Sequence, residues 1–132
     1  MSDEIDTTEE YVEEISKKVV VCNHSDSDSV LAALVMGAAI AATGDQVLFF
    51  VQPGAAKILA KGGLEKYRGL KGQPDPVELF DAIQVLDGRI ILCELGLPIY
   101  DMKADDLVDG VEVMMASTFL FEAEGANMVF SY

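Results

Sequence analysis

Tryptophan is absent from this 132-residue chain, histidine occurs once and cysteine twice, and nine Lys and Arg residues stand against 23 Asp and Glu. Each shortage closes off a class of function. A net charge of −14 argues against a phosphate-backbone partner, because nucleic-acid binding needs clustered Lys and Arg that release counterions. Two cysteines without a CxxC or a paired zinc-ribbon spacing give neither a disulfide framework nor a zinc module, so free thiols in a reducing compartment are expected. The longest mostly apolar stretch, Val30 to Ala42, is too short to cross a bilayer, and no basic segment precedes it as a secretory signal requires. The expectation is a cytoplasmic protein with no membrane and no nucleic-acid partner. No P-loop, GxGxxG or GxSxG motif occurs, which argues against a nucleotide cradle and a hydrolase nucleophile elbow.

What is present is apolar content, 51% of the chain, enough for the core of one domain. Residues 1–16 read as an acidic N-terminal extension: Asp3, Glu4, Asp6, Glu9, Glu10, Glu13 and Glu14 meet no Lys or Arg before Lys17. Thr7 or Thr8 can cap a short helix there, with Tyr11, Val12 and Ile15 as its apolar stripe. Residues 17–132 read as a single domain in which short β-branched runs alternate with helical stretches. Strands are expected at Val19 to Cys22, Val47 to Val51, Arg89 to Leu92 running into Cys93, Gly110 to Val113, and Asn127 to Phe130. Helices are expected at Ser25 to Thr43 (Ser25 and Asp28 at capping spacing), Asp75 to Leu86, Asp101 to Leu107 and Ala116 to Glu124. Strands joined by helical crossovers predict a three-layer α/β/α sandwich around a five-stranded, mostly parallel, flavodoxin-like sheet. With a 2-1-3-4-5 order, the first and third strands would be neighbours, and Cys22 and Cys93 would flank one crevice.

Chemistry is expected just past the carboxyl ends of such strands, and both cysteines stand there. Cys93 opens the loop Glu94-Leu95-Gly96, and Cys22 opens Asn23-His24-Ser25. A cysteine acts as nucleophile only as thiolate; otherwise it packs as a small hydrophobe, and both readings stay open for Cys93. Cys22 continues a wholly apolar run and reads as core. His24 is a candidate base if the two loops meet, and with Ser25 it also suits the free amides of a helix start. Glu94 borders the Cys93 site and disfavours a thiolate where its carboxylate lies close. A zinc site from Cys22, Cys93, His24 and Asp26 has permitted ligand types but no ligand-pair motif, so no metal or other cofactor is expected.

From Val19 to Phe130 the chain resembles the DsrE/DsrF family of sulfur-relay proteins, which includes the TusD-like subunits. The resemblance is carried by the first strand with its Ser/Asp loop, the Ala-rich helix ending Ala42-Thr43-Gly44, and Val47-Leu48-Phe49-Phe50-Val51. It continues through Pro76 to Leu86, Arg89 to Cys93, and Asp105-Asp106-Leu107-Val108-Asp109-Gly110-Val111. It implies a sulfurtransferase or sulfur carrier in which Cys93 holds sulfane sulfur as a persulfide and hands it to an acceptor thiol. It also implies sulfur donor and acceptor proteins as partners, and a homo-oligomer (trimer or hexamer) or hetero-oligomer with related subunits. Phe119, Leu120 and Phe121 are candidates for that interface, and backbone amides near Leu97 to Asp101 for facing the persulfide. The rival reading is a non-catalytic oligomeric subunit, or a module binding a partner or small ligand, in which Cys93 is only packed.

Overall fold

A computed structural model describes residues 15–132. The expected helix around Tyr11 and Val12 lies outside the described residues.

Five strands, β1 (Lys17–Cys22), β2 (Gln46–Val51), β3 (Arg89–Cys93), β4 (Val111–Met114) and β5 (Met128–Ser131), form one sheet. All four ladders are parallel. The central runs Val19-Val20, Val47 to Val51 and Ile90 to Cys93 are buried, as strands covered on both faces require. Helix α1 (Ser27–Ala42) starts at Asp26, whose carboxylate accepts the Ser29 amide at 3.0 Å. The expected Ser25–Asp28 cap is therefore displaced by one residue, because Asp26 reaches the free first-turn amide itself. Helix α2 (Pro76–Val85) is capped likewise by Asp75, which accepts the Val77 amide at 2.8 Å. The helix expected from Asp101 does not form. Asp101 takes a left-handed φ of 52°, leaving short 3-10 turns at Pro98–Tyr100 and Ala104–Asp106.

The layered, parallel, flavodoxin-like architecture is as expected, but the strand order is β4-β3-β2-β1-β5. The order 2-1-3-4-5 does not occur, and β2 stands between β1 and β3. Three successive connections step the same way across the sheet, so right-handed crossover places α1, α2 and the 3-10 segment Pro53–Leu59 on one face. The connection from β4 to β5 jumps back past β1 and drops helix α3 (Ala116–Glu122) on the other face.

The two faces are covered unequally. Val20, Cys22, Phe49, Val51, Ile90 and Leu92 pack under α1 and α2 in the larger core. Close packing there depends on Gly37 of α1, where a Cβ would lie 2.9 Å from Ile83 and 3.1 Å from Phe49. The second face carries a smaller cluster, Val19, Leu48, Phe50, Ile91 and Cys93, sealed by Phe119 of α3. Among the described residues no helix is long and apolar enough to cross a membrane.

Candidate functional site

Cys93 ends β3 with extended backbone, φ −62° and ψ 127°, and the chain turns directly into a 3-10 helix at Glu94–Gly96. The pleat sends Arg89, Ile91 and Cys93 to the α3 face and Ile90 and Leu92 to the α1 face. Cys93 is thereby enclosed with Phe50, Ile91 and Phe119 and is 4% exposed. The turn after it packs tightly, since a Cβ on Gly96 would lie 2.7 Å from that of Ala56. Three of the amides expected to face a persulfide are committed to the turns themselves. Leu97, Tyr100 and Asp101 donate to the carbonyls of Glu94, Leu97 and Pro98.

Cys22 lies on the opposite face. Val51 of β2 pairs with Cys22 on one side and with Leu92 on the other, so Cys93 is one residue out of phase and its side chain points the other way. The shared crevice expected for the two cysteines is absent, as are a disulfide between them and a zinc set using both, because β2 separates their strands and the pleat separates their faces. Cys22 is fully buried, and its thiol donates weakly to the His24 carbonyl at 3.6 Å. Burial pushes its pKa up to about 11; the His24 contact opposes this, and the nearby Asp26 charge adds to it. Cys22 is thus a protonated core thiol at neutral pH.

His24 and Ser25 are exposed on the loop after β1, and Glu94 is exposed beside Cys93. The strand order puts β2 between the first loop and Cys93, and among the described residues no hydrogen bond joins His24 to Cys93. Ser25 is instead tied to the α1 face, where its carbonyl accepts the Tyr67 hydroxyl at 2.6 Å.

Two concavities bring residues singled out from sequence, Phe119 and Leu120 in one and Ser25 in the other, together with residues that were not. One, of about 430 Å³, lies between α3 and the edge of the sheet, with Val19, Val21, Phe50, Phe119, Leu120 and Val129 in its apolar wall. It exists because the β4–β5 connection supplies only the seven-residue α3 to cover that face. The sole sequence signal for it is the shortness of that connection. Phe119 itself, expected at an exposed interface, is turned into the sheet, while Leu120 and Phe121 remain 70% and 76% exposed. The other concavity is small and lysine-lined, on the α1 side of the strand ends.

No family model matches the sequence, and no curated protein is detectably similar to it. Among solved structures, the ychN protein from E. coli superposes with a TM-score of 0.71 at 18% identity, covering 89% of this chain and 100% of that one. MTH1491 from Methanobacterium thermoautotrophicum, described as a protein of unknown function, gives 0.64 at 17%, covering 89% and 99%. The likeness is one of fold. At that level it agrees with the flavodoxin-like α/β sandwich expected from the sequence.

Proposed function

We propose that this protein is a sulfur carrier in which Cys93 holds sulfane sulfur as a persulfide beneath α3. The carrying observation is the position of Cys93 at the carboxyl end of β3, an interior parallel strand, where open α/β sheets place their chemistry. Its cover is one short helix, whereas Cys22 lies in the larger core beneath the sixteen-residue α1. The DsrE/DsrF-like fold supports the same reading.

The transfer balances without an outside oxidant. The Cys93 thiolate attacks the terminal sulfur of a donor persulfide, R–S–SH; the donor S–S bond breaks, R–S⁻ leaves, and Cys93–S–SH forms. An acceptor thiolate then attacks the outer sulfur, takes it as its own persulfide and releases the Cys93 thiolate. Both steps require α3 to lift from Cys93. Glu94, exposed beside Cys93, is where a donor or acceptor protein docks in this reading, while His24 and Ser25 stand apart from the transfer on the loop after β1. The exposed Leu120 and Phe121 support assembly with copies of this chain or with related subunits in the cytoplasm.

A second reading is favoured by the 4% exposure of Cys93: a subunit without transfer chemistry, in which the thiol only packs. Intact-mass and peptide mapping after polysulfide treatment separates the two. The carrier gains sulfur on Cys93, loses that gain in Cys93→Ser, keeps it in Cys22→Ser and gives it up to a small thiol. Absence of thiol-reversible sulfur on Cys93, with wild type and with Phe119→Ala alike, overturns the carrier reading.

A further inference from the structure

Lys57 and Lys66 converge on a cavity of about 120 Å³ at the carboxyl ends of β1 and β2, on the α1 side of the sheet. We propose that this cavity binds a small, multiply charged oxyanion of the sulfate or phosphate type.

Charge carries the first part of the argument. The chain has nine Lys and Arg residues against 23 acids, yet two lysines and no carboxylate line this cavity. Four of the other seven cations are engaged elsewhere, and Lys61, Lys71 and Lys103 do not line the cavity. Lys18 pairs with Asp45, Arg68 with Asp75, Arg89 with Glu112 and Glu122, and Lys17 donates to the carbonyls of Glu122 and Glu124. Among the described residues, Lys57 and Lys66 have no carboxylate at ion-pair distance. Asp26, the nearest acid in sequence to the Ser25 wall, has its carboxylate on the Ser29 amide of α1.

Rigidity carries the second part. The Lys57 ammonium lies 4.8 Å from the centre of the ring of Tyr100, another lining residue, a cation–π contact that favours its place at the cavity. The hydroxyl of Tyr67 locks the Leu64–Tyr67 turn onto the Ser25 carbonyl. Two lining glycines permit backbone approaches that no other residue allows. A Cβ on Gly54 would lie 2.1 Å from the Asn23 carbonyl oxygen, and one on Gly63 would lie 2.3 Å from that of Lys57. The walls are therefore drawn together before any ligand arrives, which lowers the cost of binding.

The volume of about 120 Å³ admits a tetrahedral oxyanion. Charge-assisted hydrogen bonds from two ammonium groups match such an ion, and the net negative field of the protein makes any uncompensated anion site unfavourable. The site lies across the sheet from Cys93 and is independent of sulfur transfer by that residue.

The test is a titration of the full chain with sulfate, thiosulfate or inorganic phosphate, each against sodium chloride of equal ionic strength, followed by calorimetry and thermal unfolding. Wild type and Cys93→Ser are expected to show saturable binding and a concentration-dependent rise in Tm. Lys57→Met and Lys66→Met are expected to bind at least about tenfold more weakly, while Lys57→Arg and the surface control Lys103→Met retain binding. The strongest of the three anions assigns the ligand to sulfur or to phosphorus chemistry. A wild-type response no different from chloride, or an equal loss in Lys103→Met, overturns the proposal.

Discussion

The ring of Phe119 lies flat on that of Phe50, with centroids 3.8 Å apart and planes inclined by 6°. So small a separation leaves little lateral offset, an arrangement the ring quadrupoles do not favour. Dispersion and burial in the groove between α3 and the sheet therefore maintain it. Seven residues are too few for an autonomous helix, so α3 depends on this stack and on the polar ties at its far end, the Arg89–Glu122 ion pair and Lys17 on the Glu122 and Glu124 carbonyls.

Truncation of the stacked ring tests whether α3 is the cover of Cys93. Phe119→Ala is expected to destabilise the fold by about 3 kcal/mol. It is also expected to raise the rate of Cys93 alkylation by about tenfold or more through local opening. Mass-spectrometric labelling resolves Cys93 from Cys22. A Cys93 rate unchanged by the substitution would remove α3 from the gating role.

Arg89 joins three elements. Its guanidinium donates to both carboxylate oxygens of Glu112 on β4, at 2.9 and 2.8 Å, and to Glu122 of α3 at 2.7 Å. Hydrogen bonding from Arg89 holds the Glu112 carboxyl below its ordinary 4.5, with burial opposing. A depressed folded pKa contributes stability that is fully present above the unfolded value and lost as pH falls through the folded one. Wild type should therefore lose Tm on acidification below pH 4.5 more steeply than Glu112→Gln. Arg89→Met should cost more at neutral pH than Glu112→Gln or Glu122→Gln, whose half-exposed pairs are worth about 0.5–1 kcal/mol each, because it leaves two neighbouring carboxylates without their cation. Equal slopes in acid would count against the assignment.

Cys22 supplies an alkaline signature. Its folded pKa stands near 11 against an ordinary 9.0, chiefly because burial disfavours the thiolate. The sign is opposite to that of Glu112: the contribution is complete below pH 9 and is lost as pH rises toward 11. Denaturant unfolding from pH 8.5 to 11 should show wild type losing roughly 2–3 kcal/mol more than Cys22→Ala over that window. Parallel curves would show that the unfolded and folded thiols titrate alike.

Helices α1 and α2 are legible from sequence because short polar side chains stand in front of their apolar runs, although the α1 cap expected at Ser25 falls on Asp26, while Asp75 opens α2 as expected. The strands were legible as continuous β-branched runs, and the parallel layered class followed from their alternation with helices. Cys93 was singled out by its place at a strand end, and β3 does end there. The crevice imagined between Cys22 and Cys93 was not legible. Nor was the Lys57–Lys66 cavity, whose residues come from the loops and turns after β1, β2 and β3.

The sequence by itself determined the composition of the layers, their local starts and stops, and the presence of thiols at two strand ends, because these depend on neighbours within a few residues. Strand order and face were decided only in three dimensions. Each crossover satisfies the same handedness rule whichever neighbour it steps toward, and a one-residue difference in register turns a side chain to the other face. Insertion of β2 between β1 and β3, and the opposite pleat phases at Cys22 and Cys93, set one cysteine in the larger core under α1 and the other in the smaller core under α3.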